Sequence, residues 1–259
     1  MLFSILLERI AIMALLMAVG VYLSRKGFLS EQGSRDLGAI LLRIIIPCVI
    51  IKSYITEYSH QRLLELGLSA LLALISYVVA MLLSYLVFGQ RRRLENFAAA
   101  FCNAGFIGIP LVQAVVGQEG VFYIAASVAL LNLFQWTYGV YIMTGRKDTI
   151  SPKAIARNPV VISIVIGVAL FLRRVTLPGI LTSTLGYVAD MNTPVAMILM
   201  GTYLARLPLR RMLDRRAVGC VLMRLVVIPA AVGLVFWLMP VDNLPLMTAV
   251  FLTAATPVG

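Results

Sequence analysis

Nine long apolar runs, separated by short polar segments, constrain the fold of this 259-residue chain more than any other feature. Hydrophobic residues make up 61% of the sequence and charged residues only 13%. A helix that crosses a bilayer needs about 20 mostly apolar residues. The sequence therefore predicts an all-α integral membrane protein, with spans near 4–24, 37–56, 64–88, 97–117, 119–144, 158–173, 179–204, 217–239 and 244–259.

The basic residues indicate an orientation in the membrane rather than a partner. The net charge is +11, but fifteen of the 22 Lys and Arg residues fall in odd-numbered loops and only four in even-numbered loops. Cytoplasmic loops of membrane proteins carry this excess. We expect the odd loops in the cytoplasm, the amino terminus outside the cell membrane, and a lipid bilayer rather than a nucleic acid as the partner of the basic residues.

No motif of an enzyme or of an ATP-driven pump is present in the sequence. The H-E-x-x-H motif and the phosphate-binding loop G-x-x-x-x-G-K-[ST] are both missing. Cys48, Cys102 and Cys220 lie in apolar runs at unrelated spacings, which favours packing residues over a disulfide or a metal site. The sequence thus predicts neither catalysis nor a cofactor nor a bound metal.

Two pairs of prolines suggest an internal repeat. Pro47 and Pro194 are 147 residues apart, and so are Pro110 and Pro257. This offset places the first apolar run on the sixth and the fourth on the ninth. Because a unit of five spans is odd, its second copy would enter the membrane from the opposite face. Such inverted repeats are typical of secondary transporters.

The repeat divides the chain into two predicted units. The first five-helix repeat would cover 1–147 and the second, inverted repeat 148–259. The copy of the fifth helix would lie beyond Gly259. We therefore expect the sequence to end within helix nine, without a final helix.

The fourth run has the residues of a broken helix. Pro110 lacks an amide proton and clashes with the carbonyl of Phe106, which predicts a break at that turn. Gly105 and Gly108 expose backbone on the same side, and the Asn103 amide both donates and accepts. Irregular backbone at membrane depth is tolerated where it is buried in protein or lines a cavity. We predict a substrate site here, and a packed proline kink is the alternative.

Pro257 predicts a matching break in the ninth run, beside the hydroxyls of Thr253 and Thr256. Two broken helices that cross head to head would direct backbone dipoles, including the positive amino ends of half-helices, at one point. The two breaks together would then form one binding site.

Two motifs resemble the auxin efflux carrier family: NAGFIGIPL at 103–111, and RNPVV at 157–161 after a basic loop. The resemblance covers essentially the whole chain. It implies ten helices in two inverted five-helix repeats, similar to bile-acid sodium symporters, with helices four and nine broken and crossing at the substrate site. It also implies the movement of small organic anions across the cell membrane.

The resemblance carries specific residues to this chain. Asn103 and Pro110 match the family motif in helix four, and Pro257 matches in helix nine. At the offset of 147 residues, Val250 stands where the first copy has Asn103. The two halves of the implied site are therefore not symmetric.

Charged residues inside spans are functional candidates because their burial in lipid is costly. Arg43 and Asp190 each precede a repeated proline by four residues, which suggests a switchable pair or an anion contact at Arg43. A static pair, or an Arg43 side chain that snorkels to the interface, is the alternative. Arg224, in the eighth run, would neutralise an anionic substrate or hold helices together through hydrogen bonds.

Two amides in the fifth run share a helix face. Asn132 and Gln135 are three residues apart, so both would line a cavity or form interhelical hydrogen bonds. Together with the broken helices, they predict a carrier for a small organic anion, most simply a carboxylate, working by alternating access. A channel or a non-transporting receptor is the alternative, and a homodimer is an assembly that the sequence leaves open.

Overall fold

The computed structural model describes residues 2–146, 151–207 and 215–258, and every regular element within them is helical. Five of these helices are long and apolar enough to cross a membrane. The all-α membrane fold is thereby confirmed. The predicted repeat boundary at 147/148, and Lys147, Arg210 and Arg211 from the loop charges, lie outside the described residues.

We number the helices that correspond to the nine predicted apolar runs as spans one to nine in chain order. A short helix, Pro152–Ala156, precedes span six, and span seven is interrupted at Met191. The spans are Leu2–Arg25, Glu31–Tyr54, His60–Phe88, Arg93–Val115, Gln118–Thr144, Pro159–Leu172, Gly179–Asp190 with Asn192–Arg206, Arg215–Trp237, and Leu244–Ala255.

Side-chain oxygens of Ser or Asn cap the amino ends of five helices. Each accepts a hydrogen bond from a backbone amide two or three residues further on, and so satisfies one of the donors that a helix start leaves free. These residues are Ser30, Ser59, Asn103, Asn158 and Asn243. Polar residues within the apolar sequence therefore mark where helices begin.

Wide helical turns, rather than breaks, accommodate three of the prolines within spans. A π-helical turn ends directly before the sequence Ile-Pro at Pro47, Pro110 and Pro229. In such a turn the amide bonds to the carbonyl five residues back, as Ile109 does with Ala104, and the wider turn accommodates the ring and the missing amide of the proline. The predicted break at Pro110 is therefore wrong, because the helix continues through this residue.

The spans form two packed groups. Spans one, two, six and seven pack together, and spans three, four, five, eight and nine form the second group. Spans one and seven touch through their backbones: a Cβ on Gly20 would lie 2.0 Å from the carbonyl oxygen of Ile198, and one on Gly201 equally close to that of Met17. The groups meet where spans two and six cover span five and span seven packs on span four.

Candidate binding site

Span four is interrupted by three non-helical residues, Phe101, Cys102 and Asn103. The helix stops at Ala100 because Phe101 is extended. It restarts after Asn103, whose Oδ1 accepts a hydrogen bond from the amide of Phe106 at 2.9 Å. The break thus lies seven residues before Pro110, and Asn103 determines where the second half-helix begins.

The amino end of this second half-helix has free donors. Phe106 bonds to the Asn103 side chain, and Ile107 bonds to the Asn103 carbonyl at 3.2 Å. The amides of Ala104 and Gly105 have no acceptor in the part of the chain that the structure describes. Such amides, aligned with the positive end of a helix, form a binding site for anions and other acceptors.

The break in span four and the end of span nine are in direct contact. The amide of Asn103 donates a hydrogen bond to the carbonyl oxygen of Pro257 at 2.7 Å. Span nine ends at Ala255, and Thr256 is extended, as Phe101 is in span four. The carboxyl ends of Arg93–Ala100 and Leu244–Ala255 therefore meet the amino end of the half-helix after Asn103, and a second amino end after Pro257 stays a prediction.

Arg224 holds this junction together. Its side chain is buried, with 3% of the residue exposed. Nε donates to the carbonyl of Thr256 at 2.9 Å, Nη1 to that of Ala99 at 3.3 Å, and Nη2 to that of Ala254. The guanidinium therefore bonds to the last turns of both helices, and no ion pair with it is found among the described residues.

A cavity of about 160 Å³ lies beside the break, between the two groups of spans. Spans two, four, five and six line it, and no charged side chain lines it among the residues described. Its walls are Leu42, Ile46, Cys102, Asn103, Ala104, Gly105, Phe106, Val128, Leu131, Asn132, Gln135 and Val160. The polar groups at the cavity are therefore amides.

Asn132 and Gln135 both line the cavity but differ in their bonding. Asn132 donates to the carbonyl of Val128 at 2.8 Å and accepts from the side chain of Asn158 at 3.0 Å, which joins spans five and six. The side chain of Gln135 has no hydrogen-bond partner within the described residues. Asn132 therefore both lines the cavity and forms an interhelical hydrogen bond, which were the two interpretations of the sequence. The Gln135 amide is available to a ligand.

The other predicted site residues lie behind or beside the cavity. A Cβ on Gly108 would be 3.4 Å from the methyl group of Thr253, so this glycine allows spans four and nine to approach. Pro110 lines a second cavity, of about 200 Å³, with Thr193 and Met13. Of the ten predicted residues, four line the cavity at the break: Asn103, Gly105, Asn132 and Gln135.

The two threonines of span nine direct their hydroxyls at their own helix. Thr253 donates to the carbonyl of Ala249 at 2.9 Å, and Thr256 to that of Thr253 at 2.8 Å. Both residues are buried. Neither hydroxyl is directed at the cavity, and Pro257 contributes its carbonyl to Asn103 instead of a side chain to the site.

The suggested pair of Arg43 and Asp190 is wrong. Asp190 contacts Lys52, with 3.0 Å between Oδ1 and Nζ. Arg43 is exposed and has no partner in the described part of the protein. Equal spacing from a proline did not predict the ion pair correctly, because span two continues through Pro47 whereas span seven is interrupted at Met191.

Sequence reasoning missed several residues of the cavity wall. Cys102 was interpreted as packing, yet it lies within the break and its sulfur is 3.5 Å from the hydroxyl of Tyr77. All three cysteines are free. The position of Cys102 next to Asn103 was an available signal, but nothing in the sequence assigned Leu42 or Val160, which arrive from other spans.

An all-α, multi-pass membrane protein with an interrupted helix at a cavity between two helix groups has the features of the secondary-transporter class. Residues 5–156 and 148–259 match the family described as "Membrane transport protein", and the chain belongs to this family. This confirms the family resemblance inferred from the NAGFIGIPL and RNPVV motifs.

A curated relative has a similar description. The chain is 26% identical, over 206 residues, to an "Uncharacterized transporter" of Methanothermobacter thermautotrophicus. The aligned part covers 75% of this chain and 66% of the relative. The chain therefore spans about two thirds of the length of that protein.

Proposed function

We propose that the protein is a carrier that moves a small organic anion, most simply a carboxylate, across the cytoplasmic membrane by alternating access. The observation that carries this proposal is the amino end of the half-helix after Asn103, which opens into the cavity with the free amides of Ala104 and Gly105. A carboxylate oxygen is a suitable acceptor for such amides. The side chains of Asn103 and Gln135 would add donors around it.

The size of the cavity favours a small substrate. Its volume of about 160 Å³ resembles that of a protein cavity of about 150 Å³ that holds benzene. The apolar part of the wall, which includes Leu42, Val128 and Val160, would contact the hydrocarbon part of the substrate. A monocarboxylate with a short chain or one ring fits this combination of an apolar wall and amide donors.

The position of the cavity supports alternating access. It lies between two groups of spans, so a small movement of one group relative to the other would change its exposure. Gly105 is part of this contact, because a Cβ there would lie 3.4 Å from the side chain of Ile46 in span two. We propose that the groups separate along this surface.

Counterflow in proteoliposomes tests this function. Vesicles preloaded with an unlabelled carboxylate such as benzoate should accumulate the labelled compound transiently, and Asn103→Ala should abolish the accumulation. Gln32→Ala, which removes an exposed amide outside the cavity, is the matched control and should behave as wild type. Flux without transient accumulation would indicate a channel, and no flux for any of a panel of small carboxylates would refute the substrate class.

The proposed orientation places the amino terminus outside and the loop after span five in the cytoplasm. A cysteine at Lys153, in a background without the three native cysteines, should resist an impermeant thiol reagent in intact cells. A cysteine at Asp242, in the loop before span nine, should react. If the cysteine at Lys153 reacts and the cysteine at Asp242 does not, the protein has the opposite orientation in the membrane.

A further inference from the structure

The contact between the break in span four and the end of span nine brings helix ends of opposite partial charge together. The carboxyl ends of Arg93–Ala100 and Leu244–Ala255 meet the amino end of the half-helix after Asn103. Each carboxyl end of a helix is equivalent to about −0.5 of an elementary charge, and each amino end to about +0.5. Both carboxyl ends therefore carry a partial charge that opposes the binding of anions at the amino end after Asn103.

Arg224 places a positive charge at both carboxyl ends. Its guanidinium donates to the carbonyls of Ala99, Ala254 and Thr256, which belong to the last turns or the cap of the two helices. One unit of positive charge offsets two helix ends of about −0.5 each. The amino end at Asn103 faces the cavity, where no charged side chain among the described residues offsets it.

We propose that Arg224 is a positioning residue that gives the cavity its preference for anions without contacting the substrate. It fixes the carbonyl of Thr256, whose neighbour Pro257 accepts the hydrogen bond from the amide of Asn103 at 2.7 Å. It thereby holds the start of the half-helix in place and cancels the opposing dipoles. This inference rests on the proposed function only for its relevance to transport, because the potential in the cavity can be measured without any substrate.

Arginine suits this role better than lysine for a geometric reason. The guanidinium is a planar fork with donors in fixed directions, whereas an ammonium group is a compact point charge. Three carbonyls from two chain segments lie around the fork. Lysine would therefore keep the charge but lose part of the bonding, which separates the electrostatic effect from the structural one.

Thiol reactivity in the cavity tests the proposal. A single reporter cysteine is introduced as Gln135→Cys, with Cys48, Cys102 and Cys220 replaced by alanine. The purified protein is treated with anionic and cationic methanethiosulfonates of similar size, and the ratio of the two rates reports the local potential. The fraction of the reporter cysteine that is present as thiolate affects both rates equally, because both reagents attack the same cysteine. This fraction therefore cancels in the ratio.

The expected ratio favours the anionic reagent when Arg224 is present. Arg224→Gln should lower the ratio by about tenfold or more, a change that corresponds to the larger measured effects of charges at helix ends. Arg224→Lys should keep the ratio within about threefold while lowering the melting temperature, since the charge remains and the fork is lost. Lys52→Gln, which removes a cation that is paired with Asp190 and does not line the cavity, should leave the ratio unchanged.

Two results would overturn the proposal. A folded Arg224→Gln protein with the wild-type ratio would show that the charge does not reach the cavity. A collapse of the ratio in Arg224→Lys, which keeps the positive charge, would show that this charge does not set the preference, even if the glutamine variant does not fold. If carboxylate counterflow fails while the ratio responds as expected, the positioning role stands and the proposed substrate is wrong.

Discussion

The break in span four and the end of span nine touch each other, yet they present different groups to their surroundings. At the first, the side chain of Asn103 and the amides after it face the cavity. At the second, the hydroxyls of Thr253 and Thr256 bond to their own helix, and the carbonyls bond to Arg224. A polar residue beside a proline therefore indicates an irregular helix, but it does not show where the polar groups of that residue are directed.

The largest effect should follow from Asn103→Ala. The change removes the cap of the half-helix and an amide at the cavity, so we expect a fall in kcat/KM of roughly 100-fold, from a cap of about 1 kcal/mol and a hydrogen bond of about 1–3 kcal/mol. Expression should be near normal. Initial uptake rates in proteoliposomes measure the effect, and wild-type transport would place the binding site elsewhere.

A smaller effect should follow from Gln135→Ala, which removes an amide of span five that lines the cavity. The free amide contributes to binding alone, so KM should rise about tenfold, for a loss of about 1.4 kcal/mol, without a change in melting temperature. Asn132→Ala is the matched variant. Because it breaks the bond to Asn158 between spans five and six, it should also lower the melting temperature, and equal stability of the two variants would contradict the assignment.

Pro110→Ala should have a modest effect, since the break does not depend on this proline. Alanine is a better helix former by about 3 kcal/mol, while Asn103 and Pro257 keep the interruption seven residues earlier. We expect transport within about threefold of wild type and a melting temperature that does not fall. Loss of transport equal to that of Asn103→Ala would show that the wide turn before Pro110 controls the break.

The smallest effect should come from Thr256→Val at the end of span nine. Its hydroxyl bonds to the carbonyl of Thr253 in the same helix, and its own carbonyl still reaches Arg224. We expect a loss of stability of about 1 kcal/mol and a change in uptake below about twofold. An effect on KM as large as that of Gln135→Ala would show that the Thr256 hydroxyl contributes to substrate binding. It would refute the stated difference between the end of span nine and the break in span four.

Local chemistry explains which parts of the site were predictable. Asn103 and Gly105 stand out in an apolar run, and the spacing of Asn132 and Gln135 placed them on one face; all four line the cavity. The break was misplaced at Pro110 because a proline excludes one hydrogen bond, whereas a π-helical turn restores regular bonding around it. No sequence rule distinguishes these two outcomes.

Hydropathy and helix caps act over a few neighbouring residues, so the sequence was enough to predict the membrane class, the number and order of the apolar runs, and the polar residues that interrupt them. The packing of the helices was needed to show that Arg224 bonds to carbonyls of two other spans, that Lys52 rather than Arg43 pairs with Asp190, and that Leu42 and Val160 reach the cavity. Arg224 lies 125 positions from Ala99 and Lys52 lies 138 from Asp190, and the geometry of such contacts depends on how whole helices pack. The charge of Arg224 was visible in the sequence, but its neighbours are backbone oxygens, which every residue carries and no sequence pattern locates.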